Sequence, residues 1–240
     1  PNYVLLSWHN RPIELFSTQI YGSNELFSFY INPSIINELY GQDILGVDYV
    51  RSGISGRITS AYIRYYESSS ELTLGRVPIN WGQGKRSIIS SQYSPTFDQF
   101  SIKIKFGLFH MTIFNGQLSS EDIFGERIKR YIAGHRLVWI SKNKKIFTSF
   151  GEQIIYTGIN RGFEWHYLNP FVPYFFTSLE RNTERIDGGD NENSIVFATM
   201  RYVYKPNLSI YGELLIDDFQ VDNNNYQDGL GYKIGINGVV

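Results

Sequence analysis

Two stretches of the chain set aromatic and basic side chains close together. The first carries Trp81, Lys85, Arg86 and Tyr93; the second carries Arg161, Phe163, Trp165, His166, Tyr167, Arg181 and Arg185. Sugar rings present C–H faces that stack on aromatic rings, and a guanidinium offers forked donors to the carboxylate of an acidic sugar. A loop surface with both could hold an anionic polysaccharide, with Trp81, Lys85, Arg86, Arg161, Trp165, Tyr167, Arg181 and Arg185 as the contacts. The competing reading gives the rings to an aromatic girdle and pairs the arginines with Glu164, Glu180, Glu184, Asp187 and Asp190.

Other chemistries find little to work with. Cysteine is absent, which excludes thiol nucleophiles, disulfides and Cys-based metal sites. His9, His110, His135 and His166 lie far apart with no ligand spacing. Asp217 and Asp218 are neighbours at a strand end, so their side chains point to opposite faces and do not share an ion. The run Gly82-Gln83-Gly84-Lys85-Arg86 fails as a phosphate loop: its first glycine would fall at Ile79, and Arg86 stands where a hydroxyl is needed. No Gly-x-Ser-x-Gly nucleophile elbow occurs. The expectation is a protein that is not an enzyme, with no catalytic residue, metal or cofactor. A net charge of -1 implies no bulk attraction to nucleic acid.

The elements that must carry these residues read as strands. Residues 193–218 form the clearest hairpin. Val196, Ala198, Met200, Tyr202 and Tyr204 share one face before the turn Lys205-Pro206-Asn207; Leu208, Ile210, Gly212, Leu214 and Ile216 share one after it. Ten residues per arm is roughly what a tilted strand needs to cross a bilayer. Further strands are expected over 3–8, 13–20, 26–36, 54–66, 71–77, 101–106, 108–115, 131–140, 146–156 and 230–239, about twelve in all. Pro33 argues for an edge or a bend in its strand. Arg57 and Arg64 fall on opposite faces unless a bulge resets the register or Arg64 sits at the rim.

From residue 54 onward the connections alternate. Short ones lie near Ser69, Phe106–Gly107, Asn143 and Pro206; long ones cover 78–99, 116–129, 157–193 and 218–229. Outer-membrane barrels have short periplasmic turns and long extracellular loops. The 18 Tyr, 17 Phe and 4 Trp suit strands and interfacial girdles, and a mean hydropathy of -0.24 fits walls whose apolar residues alternate. The fold class predicted is all-β: a transmembrane antiparallel outer-membrane β-barrel in one domain, 1–240, with natural termini beyond both ends. A soluble barrel would instead bury Leu208, Ile210 and Leu214 and expose Lys103, Lys105, Arg201 and Glu213. In the membrane reading, Lys103, Lys105, Arg136, Glu152, Arg201, Glu213 and Asp217 form a lumen network of mixed sign that favours a plug over a selectivity lining. With Arg136 inward, His135 faces lipid. The Asn169-Pro170 and Val172-Pro173 steps predict a stiff path that folds inward with the plug.

Six stretches, in order, resemble the capsule assembly protein Wzi family. They are LGRVPINWGQG (74–84), SPTFDQFSI (94–102), GHRLVW (134–139), GEQIIYTG (151–158), LNPFVPYFF (168–176), and DNENSI with YGELLIDDF (190–195 and 211–219). The first seventy residues carry no such likeness. The resemblance implies an eighteen-stranded monomeric barrel in the bacterial outer membrane with a plugged lumen. It also implies a lectin-like role in holding surface polysaccharide. It assigns no binding residue. Expected partners are surface polysaccharide and outer-membrane lipid. A porin-type channel and a structural subunit of a larger surface assembly stand as alternatives.

Overall fold

The structure, a computed structural model, describes residues 14–37, 49–51, 54–84, 86–91, 94–123, 125–159, 161–174, 176, 191–217 and 229–238. The expected strand at 3–8 lies outside them, as do Lys85, Tyr93, Arg181 and Arg185. The strands are β1 (Glu14–Ser17), β2 (Ile20–Ser23), β3 (Phe27–Asn37), β4 (Tyr49–Arg51), β5 (Ile54–Glu67), β6 (Ser70–Val77) and β7 (Phe97–Phe106). They continue as β8 (Phe109–Gln117), β9 (Glu121–Ile123), β10 (Glu126–Ile140), β11 (Ile146–Gly158), β12 (Asn191–Lys205), β13 (Leu208–Asp217) and β14 (Gly229–Gly238). All belong to one antiparallel sheet whose main path runs β1-β3-β5-β6-β7-β8-β10-β11-β12-β13-β14. Among the described residues β1 and β14 do not pair, so the sheet is open there.

Register sorts the side chains onto two faces, because the period is two. One row links Ser101, Phe114, Gly134, Gln153, Ile195 and Asp217; the row two residues nearer the short turns links Lys103, Thr112, Arg136, Gly151, Phe197 and Leu215. This face is the polar one. The alternate rows carry Ile104, Met111, Leu137, Phe150, Ala198, Leu214 and Tyr232 on the apolar face. The apolar face stays largely uncovered: Phe150 is 55%, Met200 50% and Leu214 40% exposed, whereas Glu213 on the polar face is 3% exposed.

The short turns step along the sheet. The cross-strand row through Glu67, the last residue of β5, passes Ser70, Ile104, Met111, Leu137 and Phe150 and reaches Ala198 on β12. Beyond that row β7 runs on to Phe106, β10 to Ile140 and β12 to Lys205, each further than the last. From Ala198 to Lys205 is seven residues, about 24 Å; six strand spacings are about 29 Å. The strands therefore incline about 40° to the perpendicular of the line of turns.

Two expectations need correction, and one open alternative is decided. Residues 116–129 are not a long loop: β8 reaches Gln117, and β9 pairs with the start of β10, so most of the segment is strand. Its charged residues hide the alternation, but the backbone ladder does not need it. Of the two readings of Pro33, an edge or a bend, the bend holds. β3 has strands on both sides, and the register shifts between Asn32, which pairs with Ser60, and Pro33, which pairs with Ile58, leaving Thr59 as the extra residue. That bulge resets the strand, and Arg64 lies on the polar face 3.6 Å from Glu71. Finally, the described residues of the two long connections, within 78–96 and 159–176, do not gather in one plug. They pack on opposite faces of the sheet, the first against Phe114 and Phe197, the second against Ala133 and Ile154.

Candidate functional site

The connection from β6 to β7 folds over the polar face. Trp81 is 5% exposed, with its ring edge-on to Phe114 (centroids 5.1 Å apart) and tilted on Phe197 at 5.6 Å. Ile79, Ile89, Phe97 and Ile132 pack around this cluster. Gly134 makes the space: a Cβ there would stand 2.5 Å from Phe114 and 2.8 Å from Trp81. The Arg136 guanidinium donates to the Trp81 carbonyl at 2.8 Å.

Glu213 locks the far end of the same loop. Its Oε1 accepts the backbone N–H of Gln83 at 2.7 Å and of Gly84 at 3.2 Å. Its Oε2 accepts Ser87 Oγ at 3.1 Å and the Ile88 N–H at 3.0 Å. A carboxylate accepts only, and four converging donors satisfy it. Gly82 permits the close wrap, since a Cβ would collide with Ser87 Oγ at 1.8 Å. Gln83 Nε2 donates to Thr199 Oγ1 at 3.0 Å, Ser90 and Gln153 exchange hydrogen bonds, and Lys233 Nζ donates to the Arg86 carbonyl. The loop thus touches strands from β8 to β14. Toward the short turns lies a cavity of about 700 Å³ lined by Lys144, Arg201 and Lys205 among others.

The second connection covers the other face. Tyr167 and Tyr174 are fully buried against Tyr131, Ala133, Ile154 and Tyr156. The Tyr174 N–H donates to Glu152 Oε2 at 2.6 Å, and its hydroxyl to the Tyr167 carbonyl at 2.7 Å. Arg161 donates to Glu164 at 2.8 Å, pairs with Glu192, and lies 4.9 Å from the centre of the Tyr156 ring. Burial opposes the Arg161 charge, but the Glu164 and Glu192 carboxylates outweigh it and hold the guanidinium above its ordinary range. Burial first, then Glu152, pushes the Tyr174 phenol up. This strap reaches outward through Phe163, Trp165 and Phe171, with Trp165 77% exposed.

The sequence-predicted residues divide between these settings. Lys103, Lys105, Arg136, Arg201, Glu213 and Asp217 share the polar face, but they do not form one network. Lys103 pairs with Glu71 at 2.9 Å, Arg201 stacks on Phe147, and Arg136 and Glu213 bind the loop. Glu152 is misplaced in that set. Its cross-strand partner is His135, so both lie on the apolar face, beneath the strap. The strap itself is not part of the plug.

Among the described residues the proposed sugar contacts are not brought together. Trp81, Arg161 and Tyr167 are buried in structural roles, on two faces; Arg86 and Trp165 are exposed but far apart in the fold. Residues missed from sequence include Gln83 and Ser87 of the loop with Thr199 beneath it, and Tyr174 of the strap with Asn115 and Glu192 beneath it. A lone Glu213 inside YGELLID, where apolar residues alternate, was the available signal for the first group. Among the described residues no group of three metal-ligating side chains converges. No helix there is long and apolar enough to cross a membrane, which does not bear on crossing by strands. Comparison of the chain with protein-family models, curated proteins and solved structures finds no match.

Proposed function

We propose that this chain builds the wall of a bacterial outer-membrane β-barrel whose lumen is plugged by residues 78–96, and that the barrel holds surface polysaccharide without catalysing a reaction. One observation carries the membrane part: from β3 to β14 the large exposed apolar side chains of the strands occupy one face of the sheet, while the charged face is covered by a loop from β8 to β14. A water-soluble sheet does the reverse, burying Ile210 and Leu214 and exposing Glu213. Ile210 is 47% exposed and Glu213 3%. Two further features support it. The incline of about 40° lies in the range of about 35–45° that barrel closure requires. Long connections gather at the end of the strands opposite the short turns.

The polysaccharide role is supported by the resemblance of six ordered stretches to the Wzi family, of which LGRVPINWGQG runs from the end of β6 into the plug. The barrel is monomeric in this reading. The plug argues against a porin-type channel, because the loop lies across the charged face from β8 to β14. A structural subunit of a larger surface assembly would share the wall and plug but co-purify with a partner. In planar bilayers the purified protein is expected to be electrically silent. Cells lacking it are expected to shed polymer into the medium. Steady open-channel current would overturn the plug, and polymer that stays attached would overturn the polysaccharide role.

A further inference from the structure

The strap over residues 159–176 is neither plug nor free loop. It is docked on the apolar face, the one that meets hydrocarbon in the reading above. Its inward side is fixed by Tyr167 and Tyr174 in the cluster with Ala133 and Ile154. Its outward side presents Phe163, Trp165 and Phe171, 40%, 77% and 84% exposed. Phe163 and Trp165 support each other edge to face, with centroids 5.0 Å apart.

The height of the strap is what gives these rings a role. β10 ends at Ile140, beside a short turn. Tyr131 and Ala133, against which the strap packs, lie seven to nine residues up the strand from there. At about 3.4 Å per residue and an incline of about 40°, that is roughly 18–23 Å above the turns. The apolar band of a transmembrane barrel is about 25 Å tall, with aromatic girdles at both borders. At the lower border the same face already carries a girdle: Phe106 stacked on Phe109, Trp139 beside them, and Tyr202. At the upper border the described residues of β10 and β11 present no exposed aromatic ring on this face; the strap brings them.

We propose that the strap is a membrane-interface anchor: Phe163, Trp165 and Phe171 lie in the headgroup border of the outer leaflet and complete the upper girdle where the strands do not. The partner is the lipid surface, recognised by amphipathic and apolar rings on a rigid mount. The proposal rests on the barrel reading, because it needs the apolar face to meet lipid. It also reassigns Trp165, which then packs against lipid rather than sugar. Burying its Glu152, Arg161 and Glu192 anchors under the strap keeps charge out of the bilayer while fixing the rings at one depth.

Trp fluorescence in vesicles of brominated phosphatidylcholine tests this, using the whole protein, Trp165→Phe and Trp139→Phe. Bromine high on the acyl chain quenches rings at the border; bromine near the chain end quenches rings at the midplane. The component lost in Trp165→Phe is expected to be one quenched best by the high bromine. If the lost component is unquenched while that of Trp139→Phe is quenched, the strap stands clear of the membrane. The anchor is then overturned and the barrel is not. A lost component quenched best by the chain-end bromine overturns the border position. If neither Trp139 nor Trp165 contributes a lipid-quenched component, the barrel reading itself falls.

Discussion

The Glu213 carboxylate accepts the Gln83 backbone N–H at 2.7 Å, across 130 residues of sequence. With Gly84, Ser87 and Ile88 adding donors, one side chain of β13 holds a loop that starts on β6. Removing it leaves buried donors without a partner, which costs about 1–3 kcal/mol for each group left unsatisfied. Glu213→Ala is therefore expected to release residues 82–91 to proteases and to produce intermittent conductance in planar bilayers where the parent is silent. Glu213→Gln, which keeps the shape and acceptor, should fall between the two.

Trp81 depends on a missing side chain. In Gly134→Val the new methyl groups would overlap Phe114 and Trp81, since even a bare Cβ would stand only 2.5 Å from the one and 2.8 Å from the other. Overpacking of this kind costs about 1–3 kcal/mol. The expected result is a lower midpoint of thermal unfolding and a changed near-ultraviolet circular dichroism signal. The companion variant Trp81→Phe should remove that signal with less loss of stability.

Charge on the two faces should have opposite consequences. Leu214→Arg puts a cation on the apolar face in the middle of a strand, a cost of about 2–4 kcal/mol near the bilayer midplane. Lys105→Gln alters a polar-face residue near a short turn and should cost little. Folding into lipid vesicles, followed by heat-modifiable gel mobility, checks both.

Arg161 sits between Glu164 and Glu192, and the Glu192 side chain is wholly buried. Arg161→Ala leaves two carboxylates without their counter-charge, a loss of about 3–5 kcal/mol for a buried pair. The strap should then become sensitive to proteases while residues 78–91 stay protected. Were Arg161 a sugar contact instead, the variant would lose polymer and keep its protease resistance.

How much of this was readable from the chain follows from what sequence encodes locally. The β12–β13 hairpin is legible because alternation runs unbroken on both sides of Pro206-Asn207. Residues 126–130 are not, because Glu126, Arg127, Lys129 and Arg130 put charge on both faces and only the pairing with β9 and β11 keeps them extended. The face of Glu152 is not legible in the sequence for a related reason. In FGEQIIYTG apolar and polar residues occupy both faces, so the side of Glu152 is decided by its register with His135. The lock on Glu213 and the docking of Tyr174 join segments distant in sequence. No period or spacing announces such a contact, although an isolated carboxylate within an apolar strand marks where one must form.

The medium that each face meets decides between a membrane wall and a soluble sheet. The chain has no cysteine, so single spin labels can be placed without background, at Leu214→Cys on the apolar face and Thr199→Cys on the polar one. In lipid vesicles the label at 214 should collide freely with oxygen and hardly with a water-soluble nickel chelate, while the label at 199, beneath the loop, should be shielded from oxygen. A label at 214 that meets the chelate as readily as an exposed loop would contradict the membrane wall.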